Sequence, residues 1–390
     1  MTGARRRPSA LTRALHTLPR AGGPGLAVAH RVERLRARGL RAALHRSKGR
    51  PADDTQALGR NDAAAYRCIW QAAADAAGAE VEELGGGFLL VRRDGVETMV
   101  CRNLAMVDHP VSIALALDKS LMAAVLGAHG VPVSEQVEAH RGDIASAAAH
   151  LAAGGGRWVV KPASDTGGGY GVTCGVETVD DLWRAWLWAS VWNDRIVLER
   201  QVEGEEFRLL FLDGELLDAV HRSLPTVTGD GRATVAELIA AENHRRLVAD
   251  DEVGRAIKID LDCELALRRG GLTLRSVVPA GEQVAVKGNV GDNCAAENAT
   301  ARDLPPALVA RAASAARLAR LRFAGVDVVT PDPRRSLEEA GGVVLEVNGT
   351  PGLQHHYLVR DRSAATPVAT VLLETLLREA ADRSTGPPGA

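Results

Sequence analysis

Val343-Val344-Leu345-Glu346-Val347-Asn348-Gly349-Thr350-Pro351-Gly352 is the stretch from which the rest of the chain can be ordered. Its first six residues are rich in β-branched side chains and predict a strand, and Gly-Thr-Pro-Gly ends it. Residues two apart on a strand share a face, so Glu346 and Asn348 converge. A second run, 325–330, predicts a neighbouring strand that can bring Asp327 to meet them. Carboxylate and amide oxygens in this pattern suit Mg²⁺, which keeps several waters and takes its other ligands from phosphates. Glu-x-Asn alone is common by chance; the turn that follows it makes it informative.

Upstream, Trp158-Val159-Val160-Lys161-Pro162 predicts a short strand ending near a lysine. The loop Ser164-Asp165-Thr166-Gly167-Gly168-Gly169-Tyr170-Gly171 follows it. An ammonium beside backbone N–H groups that no side chain screens can hold a polyphosphate. Neither a Walker loop nor Rossmann spacing is present. Further on, Glu199-Arg200-Gln201-Val202 ends a predicted strand, and Glu206 comes seven residues after Glu199. An acceptor and adjacent backbone groups can read an adenine edge, and a later carboxylate can take ribose hydroxyls. Lys119 stands in the first turn of a helix predicted over 118–129.

In this order and at these spacings, across about residues 110–375, the motifs resemble the ATP-grasp superfamily. Within it the chain is similar to the ATP-grasp part of cyanophycin synthetase. The marks are Arg208, the run Arg222-Ser223-Leu224-Pro225-Thr226-Val227-Thr228-Gly229-Asp230-Gly231, Val278-Pro279-Ala280-Gly281-Glu282, Ala324-Gly325-Val326-Asp327 and Pro351-Gly352-Leu353. The resemblance implies an α/β (α+β) fold in which two subdomains clasp ATP, preceded by a small α/β lobe. The expected division is a basic extension (1–60), the lobe (61–112), subdomain A with a glycine-rich lid (113–200), subdomain B with the metal site (201–382) and a disordered tail (383–390).

The resemblance also implies roles. Lys119 and Lys161 contact phosphates, and Ser164, Gly167, Gly168 and Gly169 belong to the lid. Glu199, Gln201 and Val202 read adenine, and Glu206 reads ribose. Asp327, Glu346 and Asn348 bind two magnesium ions, with manganese as a substitute. Arg208 and Arg222 steady the γ-phosphate and an acyl phosphate. The implied reaction is ATP-dependent joining of a carboxylate to an amine, on amino acids or short peptides. Glutathione-synthetase-like or protein-modifying glutamate ligases are the alternative within the class, and a non-catalytic ATP-binding or nucleic-acid-binding protein is the alternative outside it. Gly325 departs from D-alanine–D-alanine ligases, where an arginine stands two residues before the metal aspartate. The sequence carries no match to the Mur-ligase-like half of cyanophycin synthetase and its N-terminal region is shorter, so the resemblance does not assign cyanophycin polymerase activity.

The remaining sequence sets limits. With 46% apolar and 25% charged residues, the 390-residue chain has the composition of a globular protein of two or three domains. No apolar run reaches membrane-span length, and a cytoplasmic location is the expectation. Residues 1–50 carry a net charge of +12 against −14 for the remainder. That arm has the composition of a transit peptide or of an anion-binding segment, but no aromatics interleave its arginines, which argues against nucleic acid. An amphipathic helix is predicted over Leu26–Leu44. The five cysteines are too far apart for a local metal knuckle and read as small core residues. The Trp-rich segment 180–193 reads as a packing helix. His355, His356 and the loop 288–298 are candidate substrate contacts. The sequence leaves the oligomeric state open; a homodimer, common among ligases of the kind it resembles, is one candidate.

Overall fold

The computed structural model describes residues 54–164, 166, 168–248, 256–290 and 298–385. The predicted helix over Leu26–Leu44, Asp165, Gly167, residues 291–297 and 386–390 lie outside them. Helix α1 (Asp54–Ala77) leads into an antiparallel meander of β1 (Glu80–Gly85), β2 (Phe88–Arg93), β3 (Val96–Cys101) and β4 (Leu104–Ala105). Its tight turn at Asp94-Gly95 has positive φ at both residues, as a two-residue hairpin loop of matching twist requires. The helix starts earlier than the sequence predicted, so residues 54–60 belong to it rather than to the extension. Gly59 and Asn61 are weak helix formers and masked the start.

Helices α2 (Pro110–Leu117) and α3 (Lys119–Ala128) follow. Together they have the length and apolar character of a bent membrane pair, but Ala116, Met122 and Leu126 are buried in the protein core. Among the described residues no single helix is long and apolar enough to cross a membrane. Next come β5 (Gln136–His140), α4 (Ile144–Gly154), β6 (Trp158–Pro162), β7 (Thr173–Val176), α5 (Val179–Ala189) and β8 (Arg195–Arg200). The strands form an antiparallel sheet in the order β5-β8-β6-β7. Helices α4 and α5 cover it through Leu151, Leu182 and the fully buried Trp186, so the Trp-rich segment is a packing face.

The second half contains β9 (Glu205–Leu212), β10 (Glu215–Arg222), β11 (Thr226–Thr228), α6 (Val235–Val248), α7 (Leu261–Arg269), β12 (Gln283–Ala285) and β13 (Ala299–Thr300). Then come α8 (Pro306–Leu318), β14 (Phe323–Thr330), α9 (Leu337–Ala340), β15 (Val343–Asn348), α10 (Gln354–Tyr357) and α11 (Val368–Thr385). A five-stranded sheet runs β13-β10-β9-β14-β15, and β11 pairs with β12. Helix α11 continues through Thr385, so the predicted tail begins as helix at 383–385.

Strand periodicity divides this central sheet into two faces. Phe207, Leu209, Phe211, Ala324, Val326 and Val328 pack against α3 and α8. On the opposite face Leu210, Leu212 and Phe323 share a core with α1, the meander and α11. The N-terminal lobe therefore rests on the same sheet as the C-terminal helix, and α3, expected in subdomain A, also packs on that sheet. The lobe covers only one end of the face. At the other end stand Arg208, Asp327, Glu346 and Asn348. Of the cysteines, Cys174 and Cys263 are buried as expected, but Cys68 is exposed.

Candidate active site

Register brings the charged row together. Asp327 on β14 is the direct cross-strand partner of Arg208 on β9 and of Glu346 on β15. A bulge between Asp327 and Val328 sets Val328 opposite Val344, which leaves Glu346 and Asn348 facing the cleft while Val344 and Val347 stay in the core. Lys119 reaches the row from α3. Asp118 caps that helix by accepting from Leu121 N at 3.0 Å, and Lys119 N donates to Ala163 O at 2.9 Å, tying the helix start to the end of β6.

The side chains form a lattice of alternating charge. Lys119 Nζ lies 2.8 Å from Glu346 Oε1, and Lys161 Nζ lies 2.7 Å from Glu199 Oε2. The guanidinium of Arg208 grips both oxygens of Asp327, with Nη2 at 2.6 Å from Oδ2. Arg222 Nη1 lies 2.8 Å from Glu206 Oε1 and 3.6 Å from Asp327 Oδ2, while its Nη2 donates to Val290 O at 2.7 Å. Asn348 Nδ2 donates to Gly325 O at 3.2 Å and Asp327 Oδ2 at 3.3 Å, so Oδ1 is the atom a cation would take. Lys161, Glu199, Arg208, Arg222 and Asp327 are all buried.

Burial alone would raise the Glu346 carboxyl, but Lys119, Lys161 and Arg208 overcome it and hold the group at about 2. Glu206 moves the other way: burial, with Asp327 and Glu346 nearby, outweighs Arg222 and Arg208 and lifts it to about 7. Burial disfavours the Arg208 cation, yet the Asp327 pair raises its pKa further. The site thus keeps the Glu346 carboxylate ionised across the physiological range.

One cleft of about 1730 Å³ gathers these groups. Lys119, Lys161, Gly168, Gly169, Glu199, Gln201, Val202, Glu206, Arg208, Arg222, Asp327, Glu346 and Asn348 all line it. Ser164 does not: its Oγ and carbonyl accept from Asn193 Nδ2 at 3.0 and 3.2 Å. The expected lid role of Ser164 depends on a tie to Asn193 that the sequence does not show. The two histidines separate. His355 lines the cleft, whereas His356 is fully buried with Nδ1 2.6 Å from Asp218 Oδ2. Burial lowers the His356 pKa despite that carboxylate. Gly288, Asn289 and Val290 of the 288–298 loop also line the cleft.

Sequence reasoning expected the N-terminal lobe to help form the substrate pockets but found no motif that names its residues. Tyr66 on α1 hydrogen-bonds Gln354 Oε1, and Asn103 Nδ2 donates to Thr350 O at 2.7 Å; all four residues line the cleft. It also missed Lys287, buried between Asp260 at 2.6 Å and Asp262 at 3.3 Å. No local pattern marks these residues, since their partners are set by tertiary contact.

Three oxygen-bearing side chains on two adjacent strands fit a hard divalent cation. Among the described residues no group of three or more His, Cys, Asp or Glu is placed to hold a metal ion; the row here brings together two carboxylates and one amide.

No known protein-family model matches the chain. It is 33% identical over 251 residues to a cyanophycin synthetase of Nostoc sp., covering 63% of this chain and 27% of that protein. It is 26% identical over 275 residues to a glutathione biosynthesis bifunctional protein GshAB of Streptococcus mutans, covering 68% of this chain and 36% of that one. The chain thus spans little more than a third, at most, of these relatives. A bifunctional glutathione synthetase from Pasteurella multocida superposes with a TM-score of 0.50 at 22% identity, over 77% of this chain and 42% of that one. The fold is that of ATP-grasp ligases, and over its matched region the chain resembles cyanophycin synthetase.

Proposed function

We propose that the chain is an ATP-dependent carboxylate–amine ligase acting on amino acids or short peptides through an acyl phosphate, with release of ADP and phosphate. The observation that carries this reading is the row Arg208–Asp327–Glu346, flanked by Lys119, Lys161 and Asn348 in one cleft. The cleft exceeds the roughly 300–1,000 Å³ of an ordinary small-molecule pocket, which leaves room for a nucleotide and a second reactant.

In this account Lys161 and Lys119 hold phosphate oxygens, and Gly168 and Gly169 let the backbone approach them. Gln201 and Val202 bind the adenine edge; Glu199 contributes through the carboxylate it shares with Lys161, and Glu206 faces the ribose. Asp327, Glu346 and Asn348 would hold magnesium, which when bound would offset phosphate charge. Arg208 and Arg222 supply fixed positive charge where the γ-phosphoryl group meets the substrate carboxylate. An amine then attacks the activated carbonyl and phosphate leaves. Positioning and charge do the catalysis, so no nucleophilic side chain is needed. Two metal ions, use of manganese and a homodimer belong to the same reading.

The direct assay mixes the protein with ATP, Mg²⁺ and a panel of amino acids and short peptides, measures ADP, and traps acyl phosphate as a hydroxamate with hydroxylamine. ADP release should require an acid substrate and fall at least about a thousandfold in Lys161→Ala and Glu346→Ala, a scale set by loss of phosphate-charge stabilisation. ADP release without any hydroxamate would remove the acyl-phosphate step.

A further inference from the structure

The glycine-rich loop is gripped from two sides. On one side, Tyr170 packs at 4.9 Å against Trp192, which meets Trp188 edge-on at 6.1 Å. Gly171 has φ +79°, and a Cβ there would sit 2.7 Å from both Pro162 Cγ and Trp192 Cδ1, so the loop returns pressed against the end of β6. On the other side Lys258 reaches across from the second half of the molecule. Lys258 Nζ donates to Gly168 O at 2.9 Å and lies 3.8 Å from the centroid of the Tyr170 ring. Gly168 itself lines the cleft; Lys258 does not.

The lysine is mounted on a fixed backbone. Asn243 of α6 donates Nδ2 to Ile257 O at 3.0 Å and accepts from Ile257 N at 2.7 Å. Ile257 is buried in the core formed by β11, β12, α6 and α7. The same segment sends Leu238, Glu242 and Arg245 from α6 and Leu267 from α7 into the cleft. Glycines give the loop little stiffness of its own, so its position over the cleft depends on such contacts.

We propose that Lys258 is a positioning residue that holds the glycine-rich loop over the nucleotide phosphates and couples its closure to the α6–α7 segment that lines another part of the cleft. The inference rests on the nucleotide reading above. Removing an ammonium that makes both a charged hydrogen bond and a cation–π contact should weaken closure about tenfold.

Titration with magnesium and the non-hydrolysable β,γ-imido analogue of ATP, followed by tryptophan fluorescence, tests this, because Trp188 and Trp192 report on Tyr170. In Lys258→Met the analogue should bind about tenfold more weakly with the fluorescence change lost, while the melting temperature stays near wild type. In assays, KM for ATP should rise more than kcat falls. Lys258→Arg should restore both, since a guanidinium reaches the carbonyl and stacks on the ring. Tyr170→Leu reads the same contact from the loop side and should give an intermediate loss. Wild-type affinity and fluorescence change in both Lys258→Met and Tyr170→Leu would overturn the latch while leaving the ligase reading intact. A wild-type protein that binds no nucleotide would overturn both.

Discussion

Gly325 shows how much a missing side chain can matter in this site. A Cβ there would lie 2.8 Å from Pro351 Cβ and 3.1 Å from Arg208 Cδ. Arg208 crosses that space to grip Asp327, so the positive charge enters the row from β9 rather than from β14. Gly325→Ala should push the guanidinium off Asp327, lowering stability by about 1–3 kcal/mol through overpacking. ADP release should fall by an order of magnitude or more; unchanged turnover with a normal melting temperature would separate the guanidinium position from catalysis. At this scale the sequence was most readable where spacing alone fixes direction. Glu346 and Asn348 needed only the two-residue period of a strand, and Asp327 needed one register. The ion pairs were not readable. That Glu199 would hold Lys161, and Arg222 hold Glu206, depends on partners in separate strands.

Among the elements, α7 shows what local reading cannot supply. Its sequence, LDCELALRR, is short and charged at both ends, and no helix was predicted there. Yet Leu261 and Leu265 enter the core of the β5-β8-β6-β7 sheet, while Cys263 and Leu267 enter the core beneath β11 and β12. The helix starts where Asp260 accepts from Cys263 N at 3.1 Å, and the same carboxylate holds buried Lys287. One helix with two apolar faces thus joins the two halves of the cleft. Leu265→Ala should cost about 2–5 kcal/mol, read as a lower denaturation midpoint in urea; a cost under about 0.5 kcal/mol would mean that the contact is loose. Long β-branched runs such as β14 and β15 were legible because period and composition agreed. The elements β7, β10, β12 and β13 were not, being short or set among polar residues, and their pairing comes from tertiary neighbours.

Across the whole molecule, the central sheet has one purely structural face and one mixed face. The first is closed by α3 and α8; the second is closed at one end by α1, the meander and α11 and left open at the other as the cleft. That arrangement explains why residues as distant in sequence as Tyr66 and Gln354, or Asn103 and Thr350, meet at the site. The half of the cleft that carries Lys119, Lys161, Asp327 and Glu346 was legible because its motifs lie on predicted elements in a recurrent order; the lobe's half was not, because nothing local marks the residues that line it. The central claim is that this cleft binds nucleotide with magnesium through Lys161 and Glu346. Calorimetric titration with the β,γ-imido analogue of ATP, with Mg²⁺ and then with excess chelator, tests it most directly. The account predicts one site per chain whose affinity requires the metal and is lost in both Lys161→Ala and Glu346→Ala while the variants remain folded. Equal binding in the variants, or binding indifferent to the metal, would contradict it.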